Sequence, residues 1–135
     1  MSKLRSFVLA ASGMVIVATL VGCTSSGFGG KPSKNIEEIM ETGFKGKDPA
    51  LKGADSVAGR IRSGTASEAD LQLMVDLTRQ LTRNKPPKGE LASWTAKTSA
   101  LHAAAKDLAA HKVGALDGWK EAVNCKACHS VHKPD

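Results

Sequence analysis

Near its end the chain carries Cys125-Lys126-Ala127-Cys128-His129, a run in which two thiols three residues apart are followed directly by an imidazole. Such thiols can add to the two vinyl groups on one edge of a porphyrin, and the histidine then lies under the iron. On a helix the offsets i, i+3 and i+4 put Cys125, Cys128 and His129 on one face. One short helix would therefore supply both covalent anchors and the proximal ligand of a single c-type haem.

Two other chemistries use the same residue types. Cys125 and Cys128 could form a redox dithiol, but that motif belongs beside a βαβ pattern, and none is legible here. The thiols could also join His129 and His132 as four zinc ligands. All four would then come from eight consecutive residues, a cramped way to build a tetrahedron.

The opposite end of the chain bears on the compartment. Lys3 and Arg5 form a positive start, and Phe7 to Val21 make an uncharged apolar stretch of 15 residues, short for a membrane span and suited to an export signal. It closes on Leu20-Val21-Gly22-Cys23, which resembles the lipobox of bacterial lipoproteins. That resemblance implies a signal peptide over residues 1–22, cleavage before Cys23 and acylation of its thiol. Several acyl chains, at about 0.8 kcal/mol per buried methylene, anchor a protein stably. Thr24 follows the cysteine in place of the aspartate linked to inner-membrane retention, which implies the periplasmic side of the outer membrane. The 3 cysteines are thereby all assigned, one to lipid and two to haem. Both motifs call for a compartment outside the cytoplasm.

Residues 23–33 comprise the lipidated cysteine and a Gly/Ser-rich tether. Ten such residues reach about 17 Å root-mean-square, enough to hold a domain off the headgroups. Residues 34–135 are then one domain, long enough for one modest core. The whole chain carries +6, of which Lys3 and Arg5 belong to the leader, leaving +4. The charges are scattered, without a basic run interleaved with aromatics, so nucleic acid is not an expected partner. No paired carboxylates, nucleophile–base pair or phosphate loop points to an enzyme.

The elements that must position the motif read as all-α. No alternating strand pattern or hairpin dipeptide is present. The clearest helix covers Glu90 to Lys112, with Leu91, Trp94, Thr98, Leu101, Ala105 and Leu108 as its inward stripe. Pro86-Pro87 and Gly89 separate it from a helix over Glu68 to Arg83, capped by Ser67 and facing inward through Leu71, Met74, Leu77 or Thr78, and Leu81. A last helix is expected from Leu116 to Val131, carrying Leu116, Trp119 and Val123 on the face that leads into the haem motif. A shorter first helix spans Lys34 to Phe44, with Ile36, Ile39, Met40 and Phe44 on one side. Between Gly43 and Gly64 glycine is frequent, and any helix over Ala50 to Ile61 should be short and irregular. Four segments with brief connections predict an antiparallel four-helix bundle with the haem on its C-terminal helix.

Composition adds a hint. Tyrosine is absent, and only Phe44, Trp94 and Trp119 bring aromatic bulk to the folded part, while the third helix is rich in alanine. Small side chains leave room for something large between helices, although alanine is also the best helix former.

A bundle of this order, with C-x-x-C-H in its last helix, resembles the cytochrome c-prime family, and most of all its low-spin, methionine-ligated members. The resemblance spans Ile36 to Lys133 and is carried by Ile39-Met40-Glu41, by Pro86-Pro87-Lys88-Gly89 and by Val123 to Lys133. It implies thioether bonds from Cys125 and Cys128, His129 as proximal ligand and Met40 as distal ligand. The first two helices are shorter and more glycine-broken than in full-length members, so both monomer and dimer stay open. His132 and Lys133 stand where the family often carries an aromatic and a basic residue; His132 reads as a surface residue favoured by the helix dipole. Met74 reads as core, His102 as the rival distal ligand and His111 as solvated.

A thioether opposite His129 favours ferrous iron and keeps the geometry constant on redox, as electron transfer requires. The expected protein is a lipid-anchored periplasmic cytochrome that carries single electrons between redox partner proteins, with Lys120, Lys126 and Lys133 near the haem edge. If Met40 only packs nearby, the iron is five-coordinate and the protein binds or senses small gases such as NO or CO.

Overall fold

A computed structural model describes residues 33–135, and every regular element among them is helical. The expected signal peptide, Cys23 and nearly all of the tether lie outside the described residues. Ser33, the tether's expected last residue, is bonded to the fold: its hydroxyl and the Lys34 N–H both donate to Gln80 Oε1, at 2.7 and 2.9 Å. No helix among the described residues is long and apolar enough to cross a membrane.

The first helix, α1 (Ile36–Met40), begins with a capping box in which Asn35 Oδ1 accepts from the Glu38 N–H and Glu38 returns a bond to the Asn35 N–H. In place of an unbroken α-helix to Phe44, the backbone widens into a π-turn over Glu41–Lys45. Gly43 is buried in that turn, and a Cβ on it would meet Leu77 Cδ1 at 3.0 Å. The turn ends at Gly46, whose φ of 78° suits only glycine comfortably. The glycine-rich stretch then gives a 3₁₀ turn, Pro49–Leu51, and α2 (Val57–Ser63), capped by Ser56. Short as it is, α2 buries Val57, Ala58 and Ile61.

α3 (Glu68–Arg83) has the bounds and the Ser67–Asp70 capping box that its sequence predicts. Met74, Leu77, Thr78 and Leu81 are buried along it. α4 (Leu91–Ala109) follows and buries Trp94, Thr98 and Ala105. Leu91, expected to face inward, is 59% exposed. The helix stops before Lys112 because His111 turns left-handed (φ 51°). Its N–H bonds Leu108 O while the Lys112 N–H bonds Asp107 O, the pair of bonds that closes a helix end.

The segment expected as one last helix is two. α5 (Ala115–Ala122) ends at Val123, and Asn124 starts α6 (Cys125–His132) by accepting the Ala127 N–H on Oδ1 at 3.0 Å. Asparagine competes with helical backbone and prefers this capping role, which cuts the segment in two.

α3 packs most broadly on α4, and α4 on α5; α1 lies on α3, α2 on α3 and the π-turn, and α6 on α4. The interior has two clusters. One joins Val57, Ala58, Ile61, Met74, Ala105 and Trp119. The other joins Ile39, Leu77, Leu81 and Trp94, with Met40, Phe44, Leu101 and Cys128 partly buried against it.

Candidate functional site

The cap at Asn124 puts Cys125 at the first position of α6, Cys128 one turn on and His129 beside it. Cys125 is exposed and its thiol leans toward Val123 O at 3.5 Å, while Cys128 is half-buried; neither is in a disulfide. Burial pushes the Cys128 thiol up from its ordinary value, more than the positive charge of Lys97 draws it down.

Cys125, Cys128 and His129 form one wall of a cavity of about 350 Å³. The π-turn and the end of α1 contribute Phe44 and Met40, and α3 contributes Leu81. α4 adds Thr98 and Leu101, and the α5–α6 junction adds Ala122 and Val123. Of the cysteine, histidine and methionine residues described, the cavity thus gathers Met40 from the start of the fold and Cys125, Cys128 and His129 from its end. A volume of this order and mostly hydrocarbon walls are usual for a site that encloses an organic group. Alanines at 100, 122 and 127 keep the walls low. Two thiols, an imidazole and a thioether around one apolar space are a donor set suited to a porphyrin held by two thioethers and two axial ligands.

The other candidates separate clearly. Met74 is fully buried in the first cluster, as expected of core. His102 does not line the cavity; its Nδ1 lies 3.1 Å from Thr78 Oγ1 at the α3–α4 contact, and burial lowers its pKa, with the charges of Lys106 and Arg79 adding. His111 is exposed and pairs with Glu68 at 2.9 Å.

His132 is not the surface residue its position in the sequence implies. It is 2% exposed, packs edge-on against Trp94 at 5.4 Å, and places Nδ1 2.9 Å from Lys88 O and Nε2 3.1 Å from Ser93 Oγ. With both ring nitrogens engaged there, it does not converge with the thiols. Among the described residues no group of three or more His, Cys, Asp or Glu side chains is placed to hold a metal ion. The polar environment of His132 was missed because Ser93 and Lys88 lie about 40 residues away in sequence. The one available sign was an aromatic-type position occupied by a ring that can hydrogen-bond.

No protein-family model, curated protein or solved structure matches this chain.

Proposed function

We propose that this protein is a monohaem c-type cytochrome of the cytochrome c-prime type, lipid-anchored through Cys23 on the periplasmic side of the outer membrane, that carries single electrons between redox partner proteins. In this reading α1, α3, α4 and the α5–α6 pair make an antiparallel four-helix bundle around one haem. The observation that carries it is that one mostly apolar cavity, with Lys97 and Glu121 also in its lining, is shared by Met40, Cys125, Cys128 and His129.

The haem would supply the one-electron chemistry, its iron cycling between two oxidation states. The chain's own residues do the rest. Cys125 and Cys128, three residues apart on one helix face, would hold one edge of the ring through two thioether bonds. His129 binds from the same face. Met40 would offer a soft, neutral sulfur as the second ligand, which favours the lower oxidation state. Phe44, Leu81, Leu101 and Val123 give the cavity hydrocarbon walls, which would limit water near the group and the solvent rearrangement that accompanies each electron. Cys125 is exposed, so the thioether edge faces outward, where Lys126 meets approaching partners.

The reading is tested by producing the full chain in a bacterial host with haem-attachment machinery. The expected product is red, one haem heavier than its polypeptide, and low-spin, with a ferric methionine–iron band in the far red. Replacing Cys125 and Cys128 by serine should abolish the added mass. A colourless product without that mass overturns the reading. A haem-loaded but high-spin product that binds carbon monoxide moves the function from electron transfer to gas binding.

A further inference from the structure

We propose that His132 is the positioning residue that fixes the rotation of α6 and so where His129, exposed at the cavity wall, can direct its imidazole; this rests on the haem reading above. α6 is only eight residues long, and His132 is its one buried side chain. Ala127 and Cys128 are half-buried, and both line the cavity. Both thus border the space the porphyrin would take; Cys128 also touches the second core cluster, but that contact is hydrocarbon packing, and His132 adds the directional bonds, to Lys88 O and Ser93 Oγ, that such packing lacks.

The hold on His132 is directional. Lys88 O can only accept, so Nδ1 carries the proton and donates to it at 2.9 Å. In the neutral ring Nε2 then accepts from the Ser93 hydroxyl at 3.1 Å. Two bonds at opposite corners of the ring fix its in-plane angle, and Trp94 meets its edge at an interplanar 79°. Trp94 is itself held, its Nε1–H donating to Asn84 O at 2.8 Å. Gly89 completes the clamp: with φ at 80°, a Cβ there would lie 2.9 Å from Val131 O and 3.0 Å from His132 Nδ1. His129 is one turn before His132, so any rotation that this clamp permits is passed to the iron ligand. A phenylalanine at 132 would fill the same space but lock neither angle.

The test uses His132→Phe, which keeps bulk, and Ser93→Ala, which removes only the Nε2 bond and safeguards against a misfolded His132→Phe. Amide hydrogen exchange and the rate of carbon monoxide binding to the ferrous form are read on each protein as isolated. Losing a bond of this kind should speed exchange in α6 about fivefold while α3 and α4 keep their protection. Because the loosened α6 also carries His129, the carbon monoxide rate should change by about the same fivefold factor, the worth of one such bond. Variants that carry haem but match the wild type in both readouts overturn the positioning role. Should the wild type itself lack haem, the proposed function fails; unchanged α6 exchange in the variants then separately removes the clamp, and faster exchange upholds it.

Discussion

The two methionines of the described chain allow a double dissociation between packing and ligation. Met74 has no exposed surface and sits among Val57, Ala58, Ile61, Ala105 and Trp119. Its terminal methyl lies 3.7 Å from where a Gly43 Cβ would be, and glycine has no side chain to swing into the space a truncation would leave. Met74→Ala should then cost about 3 kcal/mol, within the range for fully buried methionines. In a domain of about 100 residues that lowers the unfolding midpoint by roughly 12–24 °C. Met40 is half-buried and borders the cavity, so Met40→Ala removes less packing, about 1 kcal/mol. Its spectral effect is the reverse: Met40→Ala should erase the far-red ferric band and give high-spin iron, whereas Met74→Ala should leave the band in place. Circular dichroism melting and visible spectra of both variants, with Met74→Leu as a volume-conserving control, provide the measurement. A band that survives Met40→Ala, or that disappears in Met74→Ala with the fold intact, refutes the assignment of the distal ligand.

Three further outcomes are expected. The Arg60 guanidinium, bonded to both Asp70 oxygens at 3.1 and 2.5 Å, holds that carboxyl well below the usual carboxylate range, with the Ser67 N–H adding. Its folded pKa lies below its unfolded value, so the pair's contribution of about 1 kcal/mol is full above about pH 4 and fades as pH falls toward the folded value. Asp70→Asn should therefore lower the urea midpoint at pH 7 and converge with the wild type in acid; a constant difference from pH 7 to 2 would contradict this. In chain made without haem attachment, iodoacetamide should modify exposed Cys125 ahead of Cys128, whose thiol burial keeps protonated, and peptide mass mapping showing equal rates would count against the placement of Cys128 in the cavity wall. Two helical glycines should answer oppositely to alanine. At Gly59 a Cβ would lie 2.3 Å from Gly53 O and should cost about 2–3 kcal/mol, whereas at Gly118 nothing lies within 4 Å and alanine should gain about 0.5–1 kcal/mol, both read from denaturant midpoints.

What the sequence made legible is the chemistry that sits in short local patterns. The C-x-x-C-H run needs only three residues at helical offsets, and the Ser67–Asp70 box marks the start of α3 within one turn. Met40, Cys125, Cys128 and His129 line one cavity, a juxtaposition that no local pattern in the chain encodes. Periodicity alone did not reveal what depends on distant partners. Thr98 and Leu101 fit the inward stripe of α4, but Leu91, at its first position, is left exposed while Trp94 one turn on is buried. The π-turn after Met40 carries no local signal; it accompanies the burial of Gly43 against Leu77, a contact set by α3. His132 looks like any histidine at a helix end until Ser93, Trp94 and Lys88 are brought around it.

The break at Asn124 follows from the burial demands of the residues on either side. An unbroken helix turns about 100° per residue, so from Trp119 to His132 it would turn through about 220° net. Trp119 has no exposed surface and belongs to the core beside α2, while His132 is buried beside the start of α4. On one straight helix these two rings would point to nearly opposite sides. Cys128 would stand about 180° from Trp119, directed away from the interior that Trp119 enters. Ending α5 at Ala122 and restarting at Cys125 lets each half choose its own face. The Asn124 side chain offsets the cost of the interruption by capping the new helix, typically about 1 kcal/mol. The scaffold around Trp119 and the helix that carries the reactive residues are thus separately oriented. Only because they are can one short segment line the cavity through Cys125, Cys128 and His129 and bury His132 at the same time.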